Sequence, residues 1–355
     1  PGRSLCICIV DHHCSRHRFF TRSLSSSPVA MSSLSLQVLG VLKVLAGGNS
    51  FQDVATFSSM SVTTAEQSFH HFCKEFSQGL WDTWVKLPVG EDLDQVEHIY
   101  RKCGFPGAVG SVDCTHFKWD GCPFSEQRIH KGKEGYASVV VEAMCDHAGR
   151  ILSATKSYPG AENDVTVIAR DKSVWRIRDE EPWKSLKYSL HSADGSLTEH
   201  KGAWLIVDGG YPKIPLLIPP FKTHRNLEDH MWSRRVESVR KDIECCFGRV
   251  KGRWRLFRGG ILFNTREKID NAWFTACILH NMLHTFNGLD KMEEESDWVG
   301  SAGEVDSVGE AKVAAAQDTE EFQAPGFVAF RQRLVAHFKY AWDHKAILWF
   351  KRASV

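Results

Sequence analysis

The first apolar residues recur with a helical period. Leu34, Val38, Val41, Leu42 and Leu45 fall on one helical stripe, which predicts a helix over about 34–45, ended by Gly47-Gly48. A second helix opens after Ser50, an N-cap candidate, and carries Phe51, Val54 and Phe57. A third follows "SVTTAEQ", where Ser61 or Thr63 caps and Phe69 and Phe72 turn inward. This outline suits a helix-turn-helix, and equally an ordinary three-helix bundle. From about residue 106 the period shortens. "AVGSVDCTHFKW" and "YASVVVEAMCD" read as strands, and "CDHAGRILSAT" supplies an Asp-His-Ala-Gly hairpin turn. Residues 161–170 form a helix capped by Asn163 or Asp164, and the wholly apolar 203–207 is a strand buried on both faces. Val236, Val239, Ile243, Phe247, Val250 and Trp254, at steps of three or four, mark a long helix. Further helices are expected at about 266–286 and, amphipathic, at about 327–350. The middle of the chain is therefore of the α/β class.

Composition refines this picture. The 355 residues, 43% hydrophobic and 25% charged, suffice for one large or two modest domains. No run approaches the roughly 20 apolar residues of a membrane span, so a soluble protein without a membrane partner is expected. Eleven irregularly spaced cysteines predict reduced, mostly buried thiols in an intracellular protein. The Ser/Arg-rich residues 1–30 read as disordered, and the missing initiator Met as a truncated or mis-started amino terminus. The net charge of +1 hides segregation: residues 288–325 hold eleven acids against two lysines, an acidic linker. The basic remainder points weakly to a polyanionic partner, since a charge-separated linker alone gives the same imbalance.

Candidate chemistry begins at "WLIVDGGYP". A carboxylate ending a buried strand projects into the crevice where α/β sheets hold ligands, and the glycines after Asp208 permit close approach. Capping of the following turn is the plainer alternative. "GSVDCTH" repeats the pattern with Asp113. Two acids at buried strand positions are costly without a cation between them, and a divalent ion such as Mg²⁺ is the simplest candidate. The long helix offers a third acid, Glu237 or Glu244. They lie two turns apart, so one can reach the sheet and the other cannot. Between Arg234 and Arg258 nine basic residues face three acids, as contact with a phosphate backbone requires. Structural zinc would use Cys103, Cys114, His116 and Cys122, or Cys277, His280 and His284. The first set lacks paired short spacings, and the second lies on an apolar helix.

"GSVDCTHFKWDGCP", "KGKEGYASVVVEAMCD", "YPGAENDVTVI", "WLIVDGGYPKIPLLIPP", "SVRKDIECCFGRVKGRWRLF" and "ACILHNML" occur in the order and approximate spacing of the PIF/Harbinger-type DDE transposases. The likeness is closest to the plant transposon protein branch and covers about residues 105–285. Segment 34–76 is similar to the helix-turn-helix that precedes the catalytic domain in that family. The resemblance implies a ribonuclease H-like mixed sheet flanked by helices and preceded by a small all-α region. It implies a catalytic and metal-binding triad of Asp113, Asp208 and Glu244 holding two Mg²⁺ or Mn²⁺ ions. It also implies DNA phosphodiester cleavage and strand transfer in the nucleus, on transposon ends and target DNA. Arg249, Lys251, Arg253 and Arg255 become the expected DNA contacts. His116 is a supporting candidate, or else a packed strand histidine, and Asp164 is assigned to positioning or capping.

The domains expected are a helical DNA-binding region at 31–104, a catalytic domain at 105–287, the linker at 288–325 and a terminal helix at 326–355. Nothing Myb-like is visible in the sequence, so a separate Myb-like DNA-binding protein is an expected partner, along with homo-oligomerisation. The competing expectation is a host-domesticated, non-cleaving DNA-binding or interaction protein on the same fold. A metal-free pair of glycosidase-like acids is a more distant third.

Overall fold

Side-chain caps fix where the first helices begin. In the computed structural model, which describes residues 34–133, 135–289 and 323–347, α1 spans Leu34–Gly47, α2 Phe51–Ser58 and α3 Val62–Trp84. Ser50 and Asp53 form a reciprocal capping box, and Ser61 rather than Thr63 caps α3 through the Thr64 N–H. The third helix is long, and its inward residues Phe69, Phe72 and Cys73 share a core with Ala272, Trp273 and Ala276 of α9 (Arg266–Phe286). The amino-terminal helices thus pack directly onto the α/β body. The expected disordered start, most of the acidic linker and the residues after 347 lie outside the described residues.

Two helices absent from the sequence reading, α4 (Glu91–Lys102) and the four-residue α5 (Gln127–His130), flank the first strand of the sheet. Its strands are β1 (Ala108–Lys118), β2 (Ser138–Cys145), β3 (Ile151–Ala154), β4 (Tyr158–Pro159), β7 (Trp204–Ile206) and β8 (Leu217–Ile218). The order is β3-β2-β1-β7-β8, with β4 also on β2. The β3-β2-β1 part is antiparallel, and β1-β7-β8 is parallel. The expected hairpin joins β2 to β3, where Asp146 Oδ1 accepts the Ala148 and Arg150 N–H groups and Gly149 takes φ +81°.

Alternation assigns the two faces of β1. Asp113, Thr115 and Phe117 face the long helix α8 (Leu227–Arg253), which begins well before the apolar stripe that predicted it because Asn226 caps it. Val112 and Cys114 face the opposite layer, which includes the short helices α6 (Asp164–Ile168) and α7 (Lys172–Asp179). A separate hairpin, β5 (Lys187–His191) with β6 (Leu197–Lys201), packs beside α10 (Phe327–Asp343). The terminal helix was expected from the sequence. Its Phe327, Leu334 and Phe338 join Trp204, Trp232 and Val236 in one buried cluster, so it is part of the body. None of the helices described is long and apolar enough to cross a membrane.

Candidate active site

The last register pair between the parallel strands β1 and β7 is Ser111 with Ile206. Asp113 lies two residues further along β1 and Asp208 two residues beyond Ile206, past the end of β7, so the two acids are neighbours whose charges interact. Asp208 follows the end of β7, and its Oδ1 accepts the Gly210 N–H at 2.7 Å. It therefore does cap its own turn. Gly210 matters for a second reason: a Cβ there would sit 3.1 Å from Asp208 Oδ1 and 3.2 Å from Asp164 Oδ2. The glycine leaves room for two carboxylates to face each other. Asn163, not Asp164, caps α6, and the Asp164 carboxylate instead lies beside Gly210 of the Asp208 turn.

Asp113 is mostly buried, its side chain 17% exposed. Burial raises its pKa to about 6. The Cys114 N–H and Arg240 pull it down, and Asp208 and Asp164 push it further up. Its Oδ2 accepts from Arg240 Nη1 at 3.0 Å, and its Oδ1 accepts the Cys114 N–H at 2.8 Å.

Arg240 is the residue that sequence reasoning missed. It counted there only as part of a basic surplus, yet its side chain is 12% exposed and binds three acids: Asp113, Glu237 at 3.0 Å and Glu244 at 2.6 Å. Glu237, Arg240 and Glu244 fall at spacings of three and four on one helical face, a signal visible in "ESVRKDIE". The expectation that only one glutamate reaches the sheet is corrected. Neither carboxylate meets Asp113, and each flanks the guanidinium that does. Glu244 is half exposed and lies one guanidinium away from Asp113. Among the described residues, no three His, Cys, Asp or Glu side chains are drawn close enough to hold a metal ion. The donor chemistry fits a hard divalent ion all the same, because every acid here offers carboxylate oxygens and the mutual repulsion at Asp113 calls for positive charge.

The expected DNA contacts separate. Lys251 Nζ donates to Thr115 Oγ1 at 2.6 Å and to the His116 carbonyl at 3.1 Å, which ties α8 to β1. Arg249 Nη2 donates to the Ala148 carbonyl in the β2–β3 turn, and Arg253 is half-buried. Arg255, just past α8, is exposed. His116 lies on the face of β1 opposite Asp113, with Nδ1 3.4 Å from Ser138 Oγ. The histidines of the zinc alternative hold backbone: His280 Nε2 lies 2.9 Å from the Gly149 carbonyl and His284 Nε2 2.9 Å from that of Ala148.

Beneath the acids lies a buried polar chain that the sequence reading did not single out. Tyr211, of the "DGGY" turn, donates its hydroxyl to Glu142 Oε2 at 3.2 Å and lies 3.4 Å from Cys114 Sγ. Glu142 Oε1 and Asp171 Oδ2 receive no donor, and burial beside each other raises the pKa of both carboxyl groups, which favours a proton on the pair. Burial, followed by the Asp171 charge, holds Glu142 well above the usual carboxyl range. Cys114, next to Asp113, and Tyr211, three residues after Asp208, therefore meet at Glu142.

Residues 82–288 match the plant transposon protein family model. Among curated proteins, the chain is 22% identical over 255 residues to "Protein ALP1-like" of Arabidopsis thaliana, covering 71% of this chain and 61% of that one. It is 24% identical over 203 residues to "Putative nuclease HARBI1" of Bos taurus and 23% identical over 203 residues to the Homo sapiens protein of that name. Each alignment covers 56% of this chain and 53% of the relative. The chain thus spans little more than half the length of these relatives. No solved structure matches it significantly. With the family match running over more than half of its residues, and with these relatives, the chain belongs to the plant transposon protein family of Harbinger-derived transposases and nucleases.

Proposed function

We propose that the protein is a DDE-type, divalent-metal-dependent enzyme that cleaves and transfers DNA strands, built on a ribonuclease H-like body. One observation carries this reading: Asp113 on β1 and Asp208 just past the end of the parallel neighbour β7 are close enough for their charges to interact, and Arg240 links Asp113 to Glu244 on the long helix. The mixed sheet order supports the fold, and the family membership supports the chemistry. Asp113, Asp208 and Glu244 would hold Mg²⁺ or Mn²⁺, with Asp164 within reach of Asp208. Such ions, when bound, activate a water or a 3′-hydroxyl and stabilise the leaving oxygen. For Asp113 to serve, Arg240 must first leave its Oδ2. The guanidinium then becomes available to a phosphate while keeping its contacts to Glu237. Tyr211 and Glu142 hold the two acid-bearing segments at a fixed separation. DNA as substrate, nuclear residence, a Myb-like partner and self-association all belong to this proposal.

The second reading, a non-cleaving DNA-binding protein, draws on Arg240 itself. A guanidinium placed between Asp113 and Glu244 neutralises the carboxylates without any metal. Nicking of supercoiled DNA by the purified protein in Mg²⁺ or Mn²⁺, lost in Asp113→Asn, Asp208→Asn and Glu244→Gln, is the expected result. DNA binding without nicking in either ion, with its DNA-recognising partner supplied, would establish the second reading instead.

A further inference from the structure

The segment entering α10 lies beyond the residues matched by the family, yet it docks next to the candidate site. Lys213, five residues after Asp208, bridges Gln323 in parallel, and its carbonyl accepts the Ala324 N–H at 3.0 Å. The docked helix closes a cavity of about 300 Å³ between itself, the Pro219–Asn226 loop and the start of α8. Gly209, the neighbour of Asp208, lines the same cavity, which brings its wall to within one residue of that acid.

Its walls are cationic. Lys213, Lys222, Arg225 and Arg331 line it against two acids, Glu228 and Asp229. Asp229 is buried and occupied: its Oδ2 accepts the Arg225 N–H at 3.3 Å, and its own N–H is capped by Asn226. Arg331 is held in place by stacking, its guanidinium 3.9 Å from the Phe221 ring centre and 4.9 Å from that of Phe327. The positive amino-terminal end of the 27-residue α8 opens into the same space. A small basic cavity with a fixed, planar guanidinium suits a phosphate group.

We propose that this cavity binds a backbone phosphate of the DNA strand whose reacting phosphodiester lies at Asp113 and Asp208, with the terminal helix supplying Arg331. This rests on the reading of the acids as a DNA-processing site. It gives α10 a role in substrate binding beyond completing the core.

The test measures binding of a fluorescent DNA duplex by the full chain across a series of salt concentrations without divalent metal. Wild type is compared with Arg331→Gln, with Lys222→Gln on the exposed loop, and with Arg333→Gln, which removes the same charge from an exposed position of α10 outside the cavity. Each cavity variant should lower the slope of log K against log salt by about 1, the loss of one phosphate contact, and Arg333→Gln should leave it unchanged. Equal slopes in all four proteins, an equal loss in Arg333→Gln, or no duplex binding by wild type would overturn the proposal. Should inorganic phosphate or a nucleoside monophosphate stabilise wild type but not Arg331→Gln while the DNA slope stays fixed, the cavity takes free phosphate and the backbone assignment falls. Slope changes in a protein that never nicks DNA would keep this inference and remove the catalytic reading. Nicking with unaltered slopes would do the reverse.

Discussion

Arg240 Nη1 stands 3.0 Å from Asp113 Oδ2, joining the long helix to the central strand through a pair in which both side chains are mostly buried. Asp113 is thereby paired with a cation that the protein itself provides. Removing that cation strands a desolvated carboxylate, so Arg240→Met should lose roughly 2–4 kcal/mol at neutral pH in chemical denaturation. If the carboxylates take a divalent ion, millimolar Mg²⁺ should restore much of that loss, and should stabilise the variant more than wild type because the competing guanidinium is gone. An Arg240→Met protein indifferent to Mg²⁺ and Mn²⁺ would leave the metal reading without support.

Gly210 offers a narrower probe. An alanine Cβ would press on both Asp208 Oδ1 and Asp164 Oδ2 at about van der Waals limits, and the φ here demands no glycine. Gly210→Ala should therefore fold with stability within about 1 kcal/mol of wild type. It should weaken Mg²⁺ binding by calorimetry severalfold. A large fall in melting temperature with unaltered metal affinity would show the glycine to be merely structural.

These predictions rest on residues of unequal legibility. Asp113 and Asp208 stand out in the sequence because an acid within or just after an apolar strand breaks the burial pattern that surrounds it. The α9 boundaries and the hairpin turn were equally plain, since periodicity and turn chemistry are local. Arg240 was not, because a basic helix spreads its charges over every face and only the fold decides which one meets the sheet. Helix α4 and the β5–β6 hairpin were missed for a related reason. Helix α4 is short, its buried Leu93, Val96, Ile99 and Tyr100 set among charged neighbours, and part of β5 and most of β6 are exposed, which leaves the hairpin little periodic signal. Glu142 lay hidden in "SVVVEAMC", where a single acid among apolar neighbours reads as an exposed strand position. In the structure it is fully buried beside Asp171.

Whether the raised pKa of Glu142 beside Asp171 keeps a proton on the pair can be tested by isosteric replacement. Gln keeps a donor for Asp171 and an acceptor for the Tyr211 hydroxyl, so Glu142→Gln should stay within about 1 kcal/mol of wild type near pH 5, whereas Glu142→Leu should lose about 3 kcal/mol by orphaning both partners. The sign with pH is set by the raised folded-state pKa. Its stabilising contribution is complete below the unfolded value near 4.5 and is lost as pH rises towards the folded value. Glu142→Gln should therefore gain on wild type as pH rises through neutrality. A stability gap that does not change with pH would mean that no proton is held there.

His337 on α10 supplies the opposite dependence. Its Nδ1 accepts the His191 N–H of β5 at 3.0 Å, so the docking of the terminal helix uses the neutral imidazole. Burial, with a smaller contribution from nearby His191, lowers its pKa to about 4. A depressed histidine binds fewer protons folded than unfolded, so its contribution is present above the unfolded value near 6.5 and is lost as pH falls towards 4. Asn places its side-chain oxygen near the position of Nδ1 and does not titrate. His337→Asn should thus lie within about 1 kcal/mol of wild type at pH 7.5 and gain on it by up to roughly 2–3 kcal/mol at pH 4, as read from denaturation midpoints at each pH. If the two proteins lose stability in parallel on acidification, the imidazole is not the group that senses acid, and the burial of α10 against β5 is looser than the structure has it.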